Sequence, residues 1–438
     1  MAAKPKRHVI VGAGTAAINA IRTLRQLGDK GEIHLVSMEP PYSRMVLPYY
    51  LDQSISEART TTATPRQLME WQVTSKFGRE VVALDTKAAK LKLDNDEELE
   101  YDDLLIATGS TAVRPPISGA DDPTLFNFWT LADAQGVNRY INPAGRAVMV
   151  GAGFIAFTIL DGMIHRSGNL SLVEAEPRIL PRMVDETGAR IVHHWLESKG
   201  VELLTGARLT SVGQNGARHV LAFAGREDLE ADTVVFATGI RPNLEWLNGS
   251  GIKINQAIVV DDNLKSSAPN VYAAGDVAEG KNLITGEKEV HAIEPTAMEH
   301  GRVVGANMAG KKVKYPGSLL MNIVSVAGLN VASFGSWEDA DAEVIAKADE
   351  GRSAYRKYLF KKGKMVGAIM TGPHRETWSE NDLGMIKGLV QSGASLEPWM
   401  EFLREHPFTI KKPYLATRTV KSLLPQTVLG SPTPAPRS

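Results

Sequence analysis

The sequence predicts an α/β protein that contains two copies of a parallel strand–turn–helix unit, one inserted in the other, and a C-terminal α+β domain. Glycine-rich turns follow two short apolar runs, at Gly12 and at Gly151. An Ala-Thr-Gly segment follows each unit at a similar distance, ending at Gly109 and at Gly239. Beyond about residue 316 the pattern changes to short strands followed by helices, as expected of an α+β domain.

Composition excludes several classes of function. The 438 residues carry a formal net charge of −1, so no basic excess is available to bind a nucleic-acid backbone. Cysteine is absent, which excludes disulfides, cysteine-ligated iron–sulfur clusters, thiolate nucleophiles and cysteine-type zinc sites in this sequence.

The sequence predicts a cytoplasmic protein. No apolar region with a small-residue cleavage site follows Lys4, Lys6 and Arg7, so no signal peptide is predicted. The longest apolar stretch, residues 319–334, is interrupted by polar residues and glycine. It is interpreted as two short strands around a Gly-Leu-Asn turn rather than as a membrane span.

The first unit begins with a buried-type strand and turns directly into a helix. Its sequence is His8-Val-Ile-Val-Gly12-Ala-Gly14-Thr15-Ala16-Ala17, followed by apolar residues at helical spacing, Ile18, Ile21 and Leu24. The second unit repeats the pattern as Ala147-Val-Met-Val-Gly151-Ala-Gly153-Phe154-Ile155-Ala156.

The shared Gly-x-Gly-x-x-Ala spacing predicts two dinucleotide sites. The first glycine permits a tight turn, and the second lets the backbone approach a pyrophosphate. The small third residue lets helix and strand pack closely, and the helix N-terminus supplies free N–H groups. The fold class is therefore two Rossmann-like dinucleotide-binding domains plus the C-terminal domain.

An acidic residue at the end of the next strand is expected to bind the adenosine ribose. In the second unit this residue is Glu174, which would repel a 2′-phosphate and so favours NADH over NADPH. Arg178 and Arg182 lie nearby and keep an NADPH preference possible. In the first unit Met38 occupies the expected position, so either Glu39 reaches the ribose or that hydrogen bond is missing.

Three further predicted strands complete the pattern. Two of these strands follow acidic turns, and they end in Ala107-Thr108-Gly109 and in Ala237-Thr238-Gly239. The third, beginning at Asn270, ends in Gly275-Asp276. The order and spacing of these segments, rather than any one of them, support the prediction.

Together these motifs resemble the pyridine-nucleotide-disulfide oxidoreductase superfamily of flavoproteins over roughly residues 7–400. The likeness is greatest to the NADH-dependent rubredoxin and ferredoxin reductases and to the flavin module of NADH-dependent nitrite reductases. The segments that carry it are Pro41-Tyr42-Ser-Arg44, Leu47-Pro-Tyr-Tyr-Leu51 and Pro295-Thr-Ala-Met-Glu-His-Gly301.

The resemblance implies two cofactors, FAD and NADH, with NADPH less favoured. It implies that Gly12, Gly14 and Arg44 hold the FAD phosphates and that Val81 lies near the adenine. Asp276 would accept hydrogen bonds from the ribityl hydroxyls, and the helix starting near Thr296 would direct its N-terminus at the flavin N1–C2=O edge. Gly151, Gly153, Ile155 and Glu174 would bind NADH. Phe154 would either cover the flavin as a gate or simply pack in the core.

The full set of predicted cofactor-binding residues is Gly12, Gly14, Thr15, Ala16, Glu39, Arg44, Val81, Ala107, Thr108, Gly109, Gly275, Asp276, Pro295, Thr296, Gly151, Gly153, Phe154, Ile155, Glu174 and Gly239. No protein residue is assigned as catalytic besides the possible gate, and no metal site is predicted. His193 and His194 are adjacent on a helix and suit a surface better than a metal.

The sequence departs from the family pattern beside the flavin. Met45 stands where several relatives have a redox-active cysteine, which excludes disulfide, peroxidase and coenzyme A chemistry that depends on a thiol. Pro48 and Thr158 stand where other relatives carry a Lys–Glu pair near flavin N5, which puts fast hydride transfer from NADH in doubt.

The predicted domains are an FAD domain of residues 1–114 and 244–315, an NAD domain of residues 115–243, a C-terminal interface domain of residues 316–425 and a disordered tail of residues 426–438. The predicted function is transfer of electrons from NADH through flavin to a redox protein such as rubredoxin or ferredoxin, or to a partner redox subunit. The alternatives are a quinone or dioxygen acceptor, or a flavin-binding subunit with little NADH activity. A homodimer is possible.

Overall fold

The computed structural model describes residues 5–419, with the side chains of residues 377–380 excepted. The tail predicted for residues 426–438, and the last residues of the predicted C-terminal domain, lie outside the described residues.

The first sheet has five parallel strands with the first glycine-unit strand at its centre. In the central strand Val9, Ile10 and Val11 are buried, as is usual when both faces of a parallel sheet are covered. In order across the sheet the strands are Val271–Ala273, Asp103–Ile106, Arg7–Val11, Glu32–Ser37 and Val73–Phe77.

The second sheet repeats this arrangement with the second glycine-unit strand at its centre. In order across the sheet the strands are Glu202–Leu204, Asn169–Val173, Arg146–Val150, Thr233–Phe236 and Phe126–Asn127, all parallel. The mixed α/β architecture with parallel sheets confirms the predicted fold class.

The acidic turns before the two Ala-Thr-Gly strands have the same structural role. The carboxylate of Asp102 accepts the backbone N–H of Arg7 at 2.7 Å, at the start of the central strand. Asp232 accepts the backbone N–H of Arg146 at 2.8 Å in the second sheet. Each acid therefore satisfies a backbone donor at the beginning of its central strand.

Two helices pack closely at the first sheet. The first loop helix, Thr15–Gln26, lies against the central helix, Glu294–Met308. A Cβ on Gly301 would lie 2.2 Å from the carbonyl oxygen of Ala16, and one on Gly305 would lie 2.5 Å from that of Ala20. Only glycine permits this approach, in which the N-terminal half of the first loop helix packs against the middle of the central helix.

The C-terminal sheet is antiparallel, with strand order Met321–Val326, Leu329–Gly335, Lys364–Pro373, Ala354–Lys361 and Glu343–Asp349. The predicted pair of strands near residue 325 is present. Its turn is formed by Ala327 and Gly328, both at positive φ, so the predicted Gly-Leu-Asn turn was one residue too late. None of the helices in the described part of the chain combines the length and the hydropathy that a membrane span requires.

Smaller sheets and helices complete the molecule. The connections between the two parallel sheets pair with each other as antiparallel strands, Ser110–Ala112 and Ile240–Pro242. The remaining strands form three small sheets: Val81–Asp85, Lys90–Leu93 and Glu98–Glu100; Leu209–Asn215, Arg218–Phe223 and Arg226–Ala231; and Ile258–Val259, Ala278–Lys281 and Lys288–Val290. The remaining α-helices are Leu47–Leu51, Pro65–Glu70, Leu131–Tyr140, Phe154–Arg166, Glu186–Glu197, Thr377–Ser392, Met400–Glu405 and Lys411–Ala416.

Candidate cofactor cleft

One cleft of about 2080 Å³ brings the predicted binding residues together. Both glycine loops open into it, as do the carboxyl ends of the strands that precede them. The predicted residues that line it are Gly12, Gly14, Thr15, Ala16, Glu39, Arg44, Val81, Ala107, Thr108, Gly109, Gly151, Gly153, Phe154, Ile155, Glu174, Gly239, Gly275, Asp276 and Pro295.

Thr296 is the exception among the predicted residues. The central helix begins at Glu294, two residues before the predicted start, and Pro295 lies in its first turn. Thr296 is consequently buried beneath that turn, beside Tyr315, and does not line the cleft.

The first glycine of each loop is required by the local backbone. Gly12 and Gly151 have φ values of +99° and +102°. A Cβ on Gly12 would lie 2.1 Å from the carbonyl oxygen of Ala107, and one on Gly151 would lie 2.5 Å from that of Ala237. The glycine turns and the Ala-Thr-Gly segments are therefore in direct contact, which explains why the sequence carries them as matched pairs.

The second glycine of each loop has no such requirement. Gly14 and Gly153 have extended backbones at φ −76° and −82°, and a Cβ on either would meet no neighbouring protein atom within 4 Å. Both residues line the cleft. Neither backbone strain nor protein packing requires glycine at these two positions. The open space beside Gly14 and Gly153 fits a dinucleotide pyrophosphate at a helix N-terminus.

Glu174 is fixed at the end of its strand by backbone donors. Its Oε2 accepts the N–H of Ala152, inside the second glycine loop, at 2.8 Å, and its Oε1 accepts the N–H of Glu176 at 2.9 Å. The carboxylate keeps further lone pairs for ribose hydroxyls. Arg178 and Arg182 line the same cleft.

In the first unit Glu39, rather than Met38, presents polar atoms to the cleft. Both Glu39 oxygens accept from the hydroxyl of Tyr42, at 2.8 and 2.9 Å, and one accepts from Arg44 at 3.2 Å. The Met38 side chain is exposed. Whether the Glu39 carboxylate binds the ribose stays a prediction.

Arg44 is held between two aromatic rings at the edge of the cleft. Its guanidinium lies 5.4 Å from the ring centre of Tyr42 and 5.8 Å from that of Trp129. Its Nε donates to the carbonyl oxygen of Trp129 at 3.1 Å. These contacts orient a permanent positive charge, which suits a phosphate.

Asp276 forms a buried polar group with Ser110 and His300. Ser110 donates to the Asp276 carboxylate at 2.5 Å. Burial raises the pKa of Asp276, although the hydrogen bond from Ser110 and the charge of Arg44 act in the opposite direction. The Nδ1 atom of His300 accepts the N–H of Gly275 at 3.3 Å, and burial lowers the pKa of His300 to about 3. The imidazole is therefore neutral and holds the turn that carries Asp276.

Several residues in the cleft were not found by sequence reasoning. Glu294 immediately precedes the Pro295 motif, and its carboxylate accepts from Thr15 and Ser43 at 3.0 and 3.3 Å. Asn243 is the last residue of the predicted NAD domain, and its amide donates to the carbonyl oxygen of Thr108 at 2.9 Å. Residues 320–323 enter the cleft from the C-terminal sheet, and nothing in their sequence signalled it.

The positions at which the sequence departs from the family pattern also line the cleft. Met45 is 46% exposed, so its thioether is accessible from the cleft. Pro48 and Thr158 face the same space, and the Thr158 hydroxyl donates to the carbonyl oxygen of Ile155 at 2.7 Å. Phe154 lines the cleft and also packs against the apolar core, so both of its predicted roles remain open.

Histidine and acidic side chains form no candidate metal centre among the described residues. His193 pairs with Glu197 at 3.3 Å on a partly exposed helix face.

Comparison with known protein families agrees with this geometry. The family model for pyridine nucleotide-disulphide oxidoreductases matches residues 6–301. The chain belongs to this family. A second model, the C-terminal domain of rubredoxin NAD⁺ reductase, matches residues 321–381. Family membership confirms the prediction of an FAD-dependent NAD(P)H oxidoreductase with FAD and NADH as cofactors.

Curated members of the family are similar over most of this chain. The assimilatory nitrate reductase electron transfer subunit of Bacillus subtilis is 29% identical over 85% of this chain and 48% of its own length. The NADH-dependent phenylglyoxylate dehydrogenase subunit epsilon of Aromatoleum evansii is 30% identical over 81% and 85%. The NADH oxidase of Methanocaldococcus jannaschii is 30% identical over 84% and 88%. The chain thus spans about half the length of the first of these relatives.

A solved family structure has the same fold. The ferredoxin reductase of the CYP199A2 system from Rhodopseudomonas palustris superimposes with a TM-score of 0.84, at 23% identity, over 93% of this chain and 99% of that one. At this level of identity the similarity establishes the fold alone.

Proposed function

We propose that the protein transfers electrons from NADH through FAD to a separate one-electron carrier of the rubredoxin or ferredoxin class, or to a partner redox subunit. In balance, one NADH and two oxidised carriers give NAD⁺, one proton and two reduced carriers. FAD, when bound, supplies the conversion between the two-electron donor and the one-electron acceptor.

The observation that carries the proposal is that no cysteine lines the cleft into which both glycine loops open. The sequence contains no cysteine, and Met45 occupies the cleft where a redox thiol stands in other members of the family. A thioether forms neither a thiolate nor a disulfide, so electrons must pass directly to an external acceptor. The names of two relatives, an electron transfer subunit and a dehydrogenase subunit, support this.

The residues of this chain would bind and orient the two cofactors. The N-terminus of the first loop helix and Arg44 would hold the FAD pyrophosphate, and Asp276 would accept hydrogen bonds from its ribityl chain. The N-terminus of the helix Phe154–Arg166 would hold the NADH pyrophosphate, while Glu174 binds the ribose. Residues 320–323 line the cleft from the C-terminal sheet and would help to exclude water from it when both cofactors are bound.

Stopped-flow spectroscopy tests the proposal directly. We expect the absorbance of oxidised flavin to disappear within milliseconds to seconds when the purified holoprotein is mixed anaerobically with NADH, and more slowly with NADPH. Oxidised rubredoxin or ferredoxin added afterwards should restore the flavin absorbance. Turnover that requires a quinone or dioxygen, with no reaction of either carrier, would overturn the carrier assignment.

A second candidate function rests on Pro48 and Thr158. Neither residue can form the charge pair found near flavin N5 in other relatives, so the chain is alternatively a flavin-binding subunit with little NADH activity. Full FAD occupancy with no bleaching by NADH would favour this alternative. An oxidase activity, as in the name of the Methanocaldococcus relative, would instead appear as rapid reoxidation by air. We also propose that the protein is cytoplasmic.

A further inference from the structure

We propose that Glu294 sets the reduction potential of the bound flavin by placing a fixed negative charge where two helix N-termini converge. This inference rests on the proposed function, because it concerns the same cleft. It assigns a specific electrostatic role to a residue of this chain that neither the motif spacing nor the relatives identify.

The position of Glu294 is defined by three segments of the chain. The residue is the first of the central helix, Glu294–Met308, and it lines the cleft. Its Oε1 accepts from the hydroxyl of Thr15, at the start of the first loop helix, at 3.0 Å. The same atom accepts from the hydroxyl of Ser43 at 3.3 Å. The carboxylate therefore lies between the N-termini of two helices that pack backbone to backbone.

The charge of Glu294 is not neutralised by a neighbouring cation. In the part of the chain that the structure describes, its two hydrogen-bond donors are neutral hydroxyls, and no Lys, Arg or His forms an ion pair with it. Glu39, by contrast, is paired with Arg44 at 3.2 Å. Glu174 accepts two backbone N–H groups at the other glycine loop. Glu294 is thus a carboxylate of the flavin side of the cleft whose charge is left to act on a bound ligand.

The electrostatic consequence follows from the helix N-termini. A helix N-terminus carries positive potential and stabilises a nearby anion. Glu294 supplies such an anion from within the first turn, so less of that potential is available to the negative charge that a bound flavin gains on reduction. In a partly desolvated cleft the carboxylate also repels this added charge directly. Both effects lower the reduction potential, which favours passing electrons to a carrier.

The test is a spectroelectrochemical titration of the FAD-loaded protein and its variants. Removing the charge in Glu294→Gln should raise the midpoint potential of the flavin by at least about 30 mV. For a two-electron couple, this shift corresponds to a tenfold increase in the ratio of reduced to oxidised flavin at a fixed potential. Glu294→Asp keeps the charge, so its midpoint potential should differ from that of the wild-type protein by less than half of that shift. Glu401→Gln removes an exposed carboxylate far along the chain, on the helix Met400–Glu405, and should leave the potential unchanged.

Each outcome separates this inference from the proposed function. A wild-type protein that binds no flavin would end the proposed function before Glu294 is examined. An unchanged potential in a flavin-loaded Glu294→Gln protein would overturn the role of Glu294 and leave the proposed function standing. Equal shifts in the Asp and Gln variants would show that shape rather than charge matters, which also overturns it. If the Gln variant does not hold FAD, Glu294→Met removes the charge with a side chain of similar length and is subject to the same criterion.

Discussion

At the scale of single residues, the cleft is organised by side chains that hold backbone groups in place. Glu174 binds the N–H of Ala152 in the second glycine loop, and His300 binds the N–H of Gly275 beside Asp276. Each side chain therefore has a structural role that is separable from any contact with a cofactor. Substitutions that keep the hydrogen bond but change the charge can distinguish the two roles.

Glu174 provides such a test. Glu174→Gln retains an acceptor for Ala152 but loses the anionic acceptor for the ribose, so we expect the Kd for NADH to rise about tenfold and the preference over NADPH to fall. Glu174→Ala also leaves the fully buried N–H of Ala152 unpaired, which should cost about 1–3 kcal/mol of unfolding free energy. Binding titrations and chemical denaturation measure the two effects. Glu176→Gln is the matched control, and an equal loss of NADH affinity in that variant would contradict the role of Glu174.

His300 predicts a specific dependence of stability on pH. Burial lowers its pKa in the folded protein to about 3, whereas the unfolded chain titrates near 6.5. The unfolded state therefore binds the extra proton over this range, and the free energy of unfolding contributed by His300 falls as pH decreases from about 6.5 to about 3. For this one histidine, the free energy of unfolding changes by at most about 1.4 kcal/mol per pH unit.

Replacing His300 should reduce this dependence. Glutamine keeps an acceptor for the N–H of Gly275 and does not titrate, so denaturation of His300→Gln should show a shallower loss of stability between pH 6 and pH 4. His300→Leu should lack the same slope but be less stable at pH 7, because the N–H of Gly275 loses its acceptor. An unaltered pH profile in both variants would show that the histidine is not neutral in the folded state.

At the scale of elements, the close approach of the first loop helix and the central helix determines how their N-termini meet in the cleft. Gly301→Ala would place a methyl group 2.2 Å from the carbonyl oxygen of Ala16, so the helices must separate. We expect destabilisation of at least about 1–3 kcal/mol and weaker retention of FAD, measured by thermal unfolding and by flavin release on dilution. Gly384→Ala is a suitable control because it lies on an exposed helix face with nothing within 4 Å, and it should be neutral or stabilising by up to about 1 kcal/mol.

The elements also show what the sequence can and cannot predict. The two glycine units were predictable because their chemistry is local: Gly12 and Gly14 serve distinct purposes within a few residues of each other. The start of the central helix was placed two residues late, because Pro295 is as compatible with the second position of a helix as with a residue before it. The contact between Glu294 and Thr15 spans 279 positions of sequence, and nothing local to either residue encodes it.

At the scale of the whole molecule, the C-terminal sheet is fastened to the second dinucleotide unit through the turn at Ala327. The N–H of Ala327 donates to Asp161, in the helix that begins at Phe154, and the indole of Trp195 donates to the carbonyl oxygen of Ala327 at 3.0 Å. The strand before this turn begins at Met321, which lines the cleft. One hairpin therefore connects the second nucleotide-binding helix to the wall of the cleft.

This connection predicts that Asp161 and Trp195 act as a pair. Asp161→Ala and Trp195→Phe should each cost about 1 kcal/mol of unfolding free energy and increase hydrogen exchange across residues 321–335, because each removes one anchor of the turn. The double variant should cost less than the sum of the single costs, since a turn that has already lost one anchor gains less from the other. Asp228→Ala, on an exposed strand without an ion pair among the described residues, controls for loss of an acidic side chain. Additive costs with no change in exchange across the hairpin would mean that the two side chains stabilise their own helices independently, and that the C-terminal sheet is held to the nucleotide-binding helix by its apolar contacts alone.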